Sequence, residues 1–352
     1  MARERIVATE STSPEEIDLN WSLRPKSLDE YIGQRTLIER LRIAMQAAKM
    51  REEPIEHVLL HGPPGLGKTT LAHVIANEMG TQLHATSGPA LTKAGDLVGT
   101  LTRLAPGDIL FIDEIHRLPK TVEEYIYSAM EDFRIDVPID SGMHSRIITL
   151  NLKPFTLIGA TTRTGMVSGP MRSRFGIPHH LSFYEIDDLE IIAVRSAQLL
   201  EMNIIDQQAL QLIATRSRGT PRIVNRLLRR VRDYAQVNNE GEVDVPLVDA
   251  TLKLEGIDEL GLDELDRSYL GVIAKTYRGG PVGLEAVAAT LNDDSGTLED
   301  TVEPFLLQIG FLARTRRGRQ LTPEGAAHIK ADITITSASD LDQNENNTPL
   351  FN

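Results

Sequence analysis

The residues best suited to chemistry in this chain are Gly62-Pro63-Pro64-Gly65-Leu66-Gly67-Lys68-Thr69-Thr70, which fit the phosphate-binding pattern G-x-x-x-x-G-K-[ST] without a mismatch. Gly62, Gly65 and Gly67 allow a tight turn whose backbone N–H groups face phosphate oxygens. Lys68 would reach the β- and γ-phosphates, and the Thr69 hydroxyl would hold Mg²⁺. A second set, Ile109-Leu110-Phe111-Ile112-Asp113-Glu114, reads as a buried strand ending in two carboxylates. Either Asp113 holds the metal and Glu114 orients or polarises the attacking water, or the pair caps the following helix. A third strand, 156–161, ends in hydroxyls at Thr161-Thr162, which can sense a γ-phosphate or serve as local caps. Arg172 and Arg174 in Pro170-Met171-Arg172-Ser173-Arg174-Phe175 are either surface charges or an arginine finger for a neighbouring subunit. In Gly219-Thr220-Pro221-Arg222, Thr220 reads as an N-cap and Pro221 as the first helical residue. Arg222 then sits in a first turn, where the helix dipole offers a cation nothing, and a phosphate contact explains the misfit.

These groups need a frame. Apolar runs at 58–61, 109–113 and 156–161 alternate with helices, among them 37–50 and 70–79, the latter stopped by Gly80. That is the pattern of a parallel α/β sheet covered on both faces. Partial alternation over 133–140 and 145–150 around Asp140-Ser141-Gly142 predicts an inserted β-hairpin. After Tyr184 only helices are expected, over 188–202, 206–216, 221–237 and 246–253. A linker at 256–261 leads to helices over 263–277, 283–291 and 297–309 and a short β segment near 310–321, an arrangement like a winged helix-turn-helix. The expected divisions are a loose tail 1–20, a large ATPase domain 21–184, a small helical domain 185–256, a winged-helix head 257–335 and a disordered tail 336–352.

Composition narrows the classes. The chain has 352 residues, no cysteine and a net charge of −13. Disulfides, thiolate zinc sites and a cysteine nucleophile are excluded, which fits a reducing cytoplasm. No apolar run reaches membrane-span length, and the first twenty residues are too acidic and polar for a signal peptide. Nucleic-acid contact must therefore come from a local patch. Phe311-Leu312-Ala313-Arg314-Thr315-Arg316-Arg317-Gly318-Arg319-Gln320 is such a patch, with four arginines and no acid. Guanidinium groups on a β-turn-β wing suit phosphates. His116, His179 and His180 lack companions at metal-ligand spacing and read as structural.

The motifs GPPGLGKTT, LFIDEIH, IGATTR, MRSRFG and RGTPR, in this order and followed by a winged helix, resemble the AAA+ class of ATPases. Within that class they resemble the motors that drive branch migration of Holliday junctions in bacterial recombination and repair. The stretches 22–26, 31–34, 125–133 and 279–283 agree, and the likeness spans about 19–330. It implies an ATP and Mg²⁺ site in which Gly65, Gly67, Lys68, Thr69 and Thr70 hold phosphate, with Thr69 and Asp113 at the metal. Asp113 and Glu114 become the Walker B pair, Thr162 sensor 1, Arg174 a finger acting in trans and Arg222 sensor 2. Leu23, Arg24, Tyr184 and the run Glu131, Asp132, Phe133 are implied around nucleotide, and Arg314 and Arg319 on DNA. The resemblance further implies a homohexameric ring on duplex DNA, loaded at junctions by the protein RuvA through the hairpin at 133–150, and a larger complex with the resolvase RuvC. Asp293-Asp294-Ser295-Gly296 departs from the pattern, being acidic where relatives often carry an arginine. An ATP-switched scaffold that assembles on DNA without translocating is the rival; a protein unfoldase would need an aromatic-apolar pore loop that the sequence lacks.

Overall fold

The computed structural model describes residues 21–138 and 147–331. They fall into two compact units, one within residues 10–248 and the other within 249–352. The hairpin tip around Asp140-Ser141-Gly142, the tail 1–20 and the tail 336–352 lie outside the described residues.

The first unit opens with helix α1 (Arg35–Arg51). Strand β1 (Val58–His61) leads through the glycine loop into α2 (Lys68–Met79), which stops at Gly80 in the left-handed conformation. There follow β2 (Leu83–Ser87), α3 (Ala94–Leu101), β3 (Ile109–Asp113), α4 (Lys120–Asp132), β4 (Arg134–Pro138), β5 (Ile147–Asn151), β6 (Thr156–Thr161), α5 (Gly169–Arg172) and β7 (Ile177–His180). Strands β2-β3-β6-β1-β7 form one parallel sheet. Its three central strands are the buried apolar runs expected from sequence, because a parallel strand covered on both faces has no polar side.

The two edge strands were not anticipated. β2 (LHATS) is only half buried, and β7 carries Pro178 and two histidines, so neither is an apolar run. A proline is tolerated at an edge, where no ladder bond is lost on the open side. Packed on the sheet, Leu97, Leu101, Ile112, Val122, Ile126, Phe155 and Phe175 belong to one core cluster. Each such side chain contributes about 1.5–3 kcal/mol by leaving water. Strands β4 and β5 pair antiparallel as the expected hairpin.

The helical region comprises α6 (Ile186–Leu199), α7 (Gln207–Thr215), α8 (Pro221–Asn238) and α9 (Val245–Leu254). It is not purely helical as expected: β8 (Asn203–Ile204) and β9 (Glu242–Val243) form a two-residue parallel pair. Strands that short carry no period for a sequence to reveal.

The second unit contains α10 (Glu264–Lys275), α11 (Leu284–Leu291), α12 (Ser295–Thr297), a π-helical turn (Leu298–Val302), α13 (Glu303–Gln308), β10 (Leu312–Thr315), β11 (Gly318–Leu321) and α14 (Pro323–His328). The single helix expected over 297–309 is thus broken. Pro304 has no N–H for the Asp300 carbonyl and its ring crowds that turn, so the helix widens just before it. Asp294 caps α12 by accepting the Thr297 N–H at 2.8 Å, so the acidic turn has a local structural use. Strands β10 and β11 form the expected wing, with Arg314 opposite Arg319. Tyr269, Leu270, Ile273, Leu298, Val302 and Leu306 share this unit's core.

Candidate functional site

In an open parallel sheet the carboxyl ends of the strands form the ligand edge. Adjacent strands β3, β6 and β1 end there at Asp113, Thr161 and His61, and His61 is paired in register with Thr161. The motifs scattered along the sequence therefore meet on one edge. The glycine loop springs from β1, tied by Gly62 N–H to the Thr161 carbonyl at 3.2 Å. Gly62, Gly65 and Gly67 all have positive φ. A Cβ on Gly62 would lie 2.4 Å from the Leu181 carbonyl oxygen, so no other residue fits. Lys68 opens α2 and is almost fully buried; its Nζ donates to the carbonyls of Gly62 at 2.7 Å and Pro63 at 2.9 Å. Thr69 and Thr70 follow it, half buried.

Asp113 and Glu114 are driven apart electrostatically. Burial, followed by the adjacent Glu114 charge, pushes the Asp113 carboxyl above its ordinary value. Burial would also raise Glu114, but His116, Lys68 and Thr162 outweigh it and hold that carboxyl below its ordinary value. Glu114 is in the left-handed conformation (φ 47°) and its N–H donates to Asp113 Oδ1 at 3.0 Å. The Thr162 hydroxyl donates to Glu114 Oε2 at 3.3 Å, which joins the end of β6 to the end of β3.

A strap and a helix end close over the loop. Leu23 is buried, and its carbonyl accepts from Arg195 Nη1 at 2.7 Å. Arg195 Nη2 also holds Glu30 at 3.0 Å, which fixes the strap to α6. The Tyr184 hydroxyl donates toward Tyr31 Oη at 3.2 Å and the Leu66 carbonyl at 3.4 Å. Burial, offset by the Tyr184 hydrogen bond, pushes Tyr31 up to about 12, so both rings are neutral phenols. Tyr184 N–H bonds the Gly219 carbonyl at 2.9 Å, which brings the start of α8 to the loop. There the Arg222 Cβ lies 3.3 Å from where a Cβ on Gly65 would be. Thr220 is the N-cap residue by position, but its hydroxyl donates to the Ser217 carbonyl at 3.2 Å instead of accepting from the helix.

Arg24 lies over the Trp21 ring at 3.9 Å with Nη1 buried and without a hydrogen-bond partner. Burial and the neighbouring Arg222 charge lower its guanidinium to about 10. Two cations converging beside a glycine cradle and a lysine make a site for a polyanion, and the residues present fit a nucleoside triphosphate. Among the described residues no cluster of three or more histidines or acids could hold a metal. Mg²⁺ needs none, since one carboxylate, one hydroxyl, phosphates and water complete its octahedron.

Arg174, Glu131, Asp132 and Phe133 are not in this group. Arg174 donates to the Pro170 carbonyl at 2.7 Å and to Glu131 Oε2 at 3.0 Å, and it lies over the Tyr127 ring at 4.4 Å. Its Nε is buried without a partner. Arg134 pairs with Asp132 at 3.2 Å, and the Phe133 ring meets Phe155 edge-on at 5.9 Å. These four residues form a second patch at the end of α4.

On the wing, Arg314 and Arg319 both bond Glu303, whose side chain has no exposed surface. Sequence reasoning missed Glu303, Tyr31, Arg195 and His116. Glu303 alone carries a signal, as an acid between the buried Val302 and Leu306 with arginines close behind. Tyr31 and Arg195 act through partners far away in the chain, whereas His116 lies two positions from its partner Glu114.

Taken together, a parallel sheet with a phosphate loop, a helical cap and a winged helix define an AAA+ P-loop ATPase with a DNA-binding type of head. Three family models cover the chain: the Holliday junction DNA helicase RuvB P-loop domain matches 23–181, the RuvB AAA lid domain 184–258, and the RuvB C-terminal winged-helix domain 259–330. The chain belongs to the RuvB family, and membership implies ATP binding. It is 57% identical to the Holliday junction branch migration complex subunit RuvB of Desulfosudis oleivorans over 88% of this chain and 90% of that protein. The namesake from Kosmotoga olearia is 54% identical over 89% and 92%. A solved structure of the Thermotoga maritima RuvB Holliday junction branch migration motor superposes with a TM-score of 0.82 at 52% identity, covering 89% of this chain and all of that one. Among the described residues no helix is long and apolar enough to cross a membrane.

Proposed function

We propose that this chain is an ATP-driven DNA motor that moves the branch point of Holliday junctions during recombination and repair, working in the cytoplasm as a hexameric ring on duplex DNA. The observation that carries this reading is the split between two patches. Lys68, Asp113, Glu114, Thr162, Arg24 and Arg222 surround one loop, while Arg174 makes no hydrogen bond or ion pair with any of them. An arginine that touches none of its own site's groups can serve a neighbour's, and a closed ring gives every subunit such a neighbour.

Bound ATP supplies the phosphoanhydride whose hydrolysis drives the motor, and Thr69 and Asp113 would hold Mg²⁺. Lys68, Arg24 and Arg222 bind phosphate, Glu114 polarises water, and Thr162 reports the phosphate end to Glu114. Arg174, with Glu131, Asp132 and Phe133 beside it, faces the adjacent subunit's nucleotide. Arg314 and Arg319 bring the wing to DNA phosphates, and divisions near 184 and 256 let the parts move. The β4–β5 hairpin, with Ile147 and Ile148 exposed by 65% and 47%, supports docking of RuvA there, and RuvC would join the larger complex.

The test is dissociation of a synthetic four-way junction with and without RuvA. Arm-separated products that require hydrolysable ATP are expected. Tight ATP-dependent duplex binding with no strand movement would point instead to a switch-like scaffold.

A further inference from the structure

His116 is part of no motif role given above, yet it touches the hydrolytic carboxylate. The 3₁₀ turn Ile115–Arg117 folds its ring back toward the sheet edge, where the side chain is 5% exposed. Nδ1 lies 3.1 Å from Glu114 Oε2 and 2.8 Å from Thr161 Oγ1. With the proton on Nδ1, the N–H lies between the two oxygens, since a carboxylate can only accept, and Thr161 Oγ1 accepts from it as well. The same Thr161 oxygen accepts the Arg163 N–H at 3.0 Å, which fixes the hydroxyl as the brace of the imidazole. Glu114 Oε2 thus receives two donors, His116 and Thr162, both anchored to the end of β6.

We propose that His116 is a positioning residue for ATP hydrolysis: its Nδ1–H, braced by Thr161, holds the Glu114 carboxylate where it can polarise the attacking water. This rests on the reading of Glu114 given above. The backbone supplies a second reason. Glu114 occupies a left-handed conformation that a non-glycine residue keeps only when its surroundings over-determine it. Without His116, one hydroxyl bond at 3.3 Å would be left to hold a side chain with three rotatable bonds. Lys68 is held by the carbonyls of Gly62 and Pro63, so nucleotide binding and Glu114 alignment should separate.

The experiment uses the full chain with DNA and ATP and measures kcat, KM and the affinity for a fluorescent nucleotide in four variants. His116→Ala should lower kcat about 10- to 100-fold, the range seen when a group that orients a reactive side chain is lost, with nucleotide affinity unchanged. His116→Asn places an amide N–H near the Nδ1 position and should restore most of kcat. His116→Gln places it near Nε2 and should not. Wild-type kcat in His116→Ala, kcat and affinity falling in parallel, or equal kcat in the Asn and Gln variants would each overturn the proposal. The Asn–Gln contrast decides the matter even where the Ala variant folds poorly. Glu114→Gln separates the two levels: lost turnover with retained binding upholds the reading of Glu114, whereas normal turnover there removes that reading and this proposal with it.

Discussion

Arg319 donates its Nε–H to Glu303 Oε1 at 2.8 Å, and Glu303 has no surface exposed to water. Arg314 donates to the other oxygen at 2.9 Å and the Tyr269 hydroxyl to the first at 2.5 Å. Arg314 and Arg319 face each other across the wing, where two like charges would repel. The buried carboxylate neutralises part of that repulsion and fixes both guanidinium groups on one side of the hairpin.

Glu303→Gln should therefore destabilise the winged-helix unit. Removing one member of a buried charge cluster costs about 3–5 kcal/mol, and the low end applies because Arg314 is partly exposed. Burial acts to raise the Glu303 carboxyl, but Arg319, Tyr269 and Arg314 outweigh it and hold it below its ordinary value. A depressed folded pKa means the stabilisation is complete above the ordinary carboxylate range and is lost as pH falls through the lowered value. Thermal unfolding from neutral to acid pH should show that loss in the wild type and not in Glu303→Gln. Identical acid limbs would show that the cluster does not stabilise the fold.

The wing arginines should also divide by role. Arg316 and Arg317 are exposed at the tip, whereas Arg314 and Arg319 hold Glu303 as well as facing outward. Arg316→Ala with Arg317→Ala should reduce the salt slope of duplex binding by about 2, close to one per lost phosphate contact, with the unfolding midpoint unchanged. Arg314→Ala with Arg319→Ala should lower both affinity and midpoint. Fluorescence anisotropy across a salt series, paired with melting curves, reads both. An unchanged slope in the tip variant would confine DNA contact to the inner pair.

How far the sequence reaches depends on where the information lies. Val58–His61, Ile109–Asp113 and Thr156–Thr161 are legible because central strands bury both faces. β2 and β7 are not, because an edge strand needs no continuous apolar run. The phosphate loop is legible because close backbone approach leaves room for glycine alone at Gly62. The contacts of Tyr184 with Tyr31 and of Arg195 with Leu23 are invisible, because residues 153 and 172 positions apart meet only after the sheet has formed. His116 reads as structural because it has no companions at metal-ligand spacing, and its contact with Thr161, 45 positions away, is not visible in the sequence.

Lys68→Ala should abolish nucleotide binding. In the structure Nζ donates to two carbonyls of its own loop, which hold the ammonium at the loop. The variant keeps the glycine turn but loses the buried charge that faces the β- and γ-phosphates. Equilibrium binding of a fluorescent nucleotide checks this, with circular dichroism to confirm that α2 is intact. Near-normal ATP turnover in this variant would refute the assignment of the site.

Arg174→Ala should block turnover while nucleotide still binds. Arg174 is bonded to Glu131 and the Pro170 carbonyl and stacked on Tyr127, with Nε buried and unpartnered, and none of these contacts is with the groups of its own loop. An arginine finger contributes about 10³- to 10⁵-fold in kcat by stabilising charge on the transferred phosphoryl group, so the loss should be nearly complete. Glu114→Gln fails for a different reason, since its own water is not polarised while its finger is intact. In a mixed ring, an Arg174→Ala subunit with a sound Glu114 can sit next to a Glu114→Gln subunit that lends it an arginine. Turnover should therefore reappear on mixing and peak near equal proportions. Rescue in no ratio would mean that Arg174 serves its own subunit or serves only to hold α4 and the 170–175 turn together, and the ring reading would lose its main support.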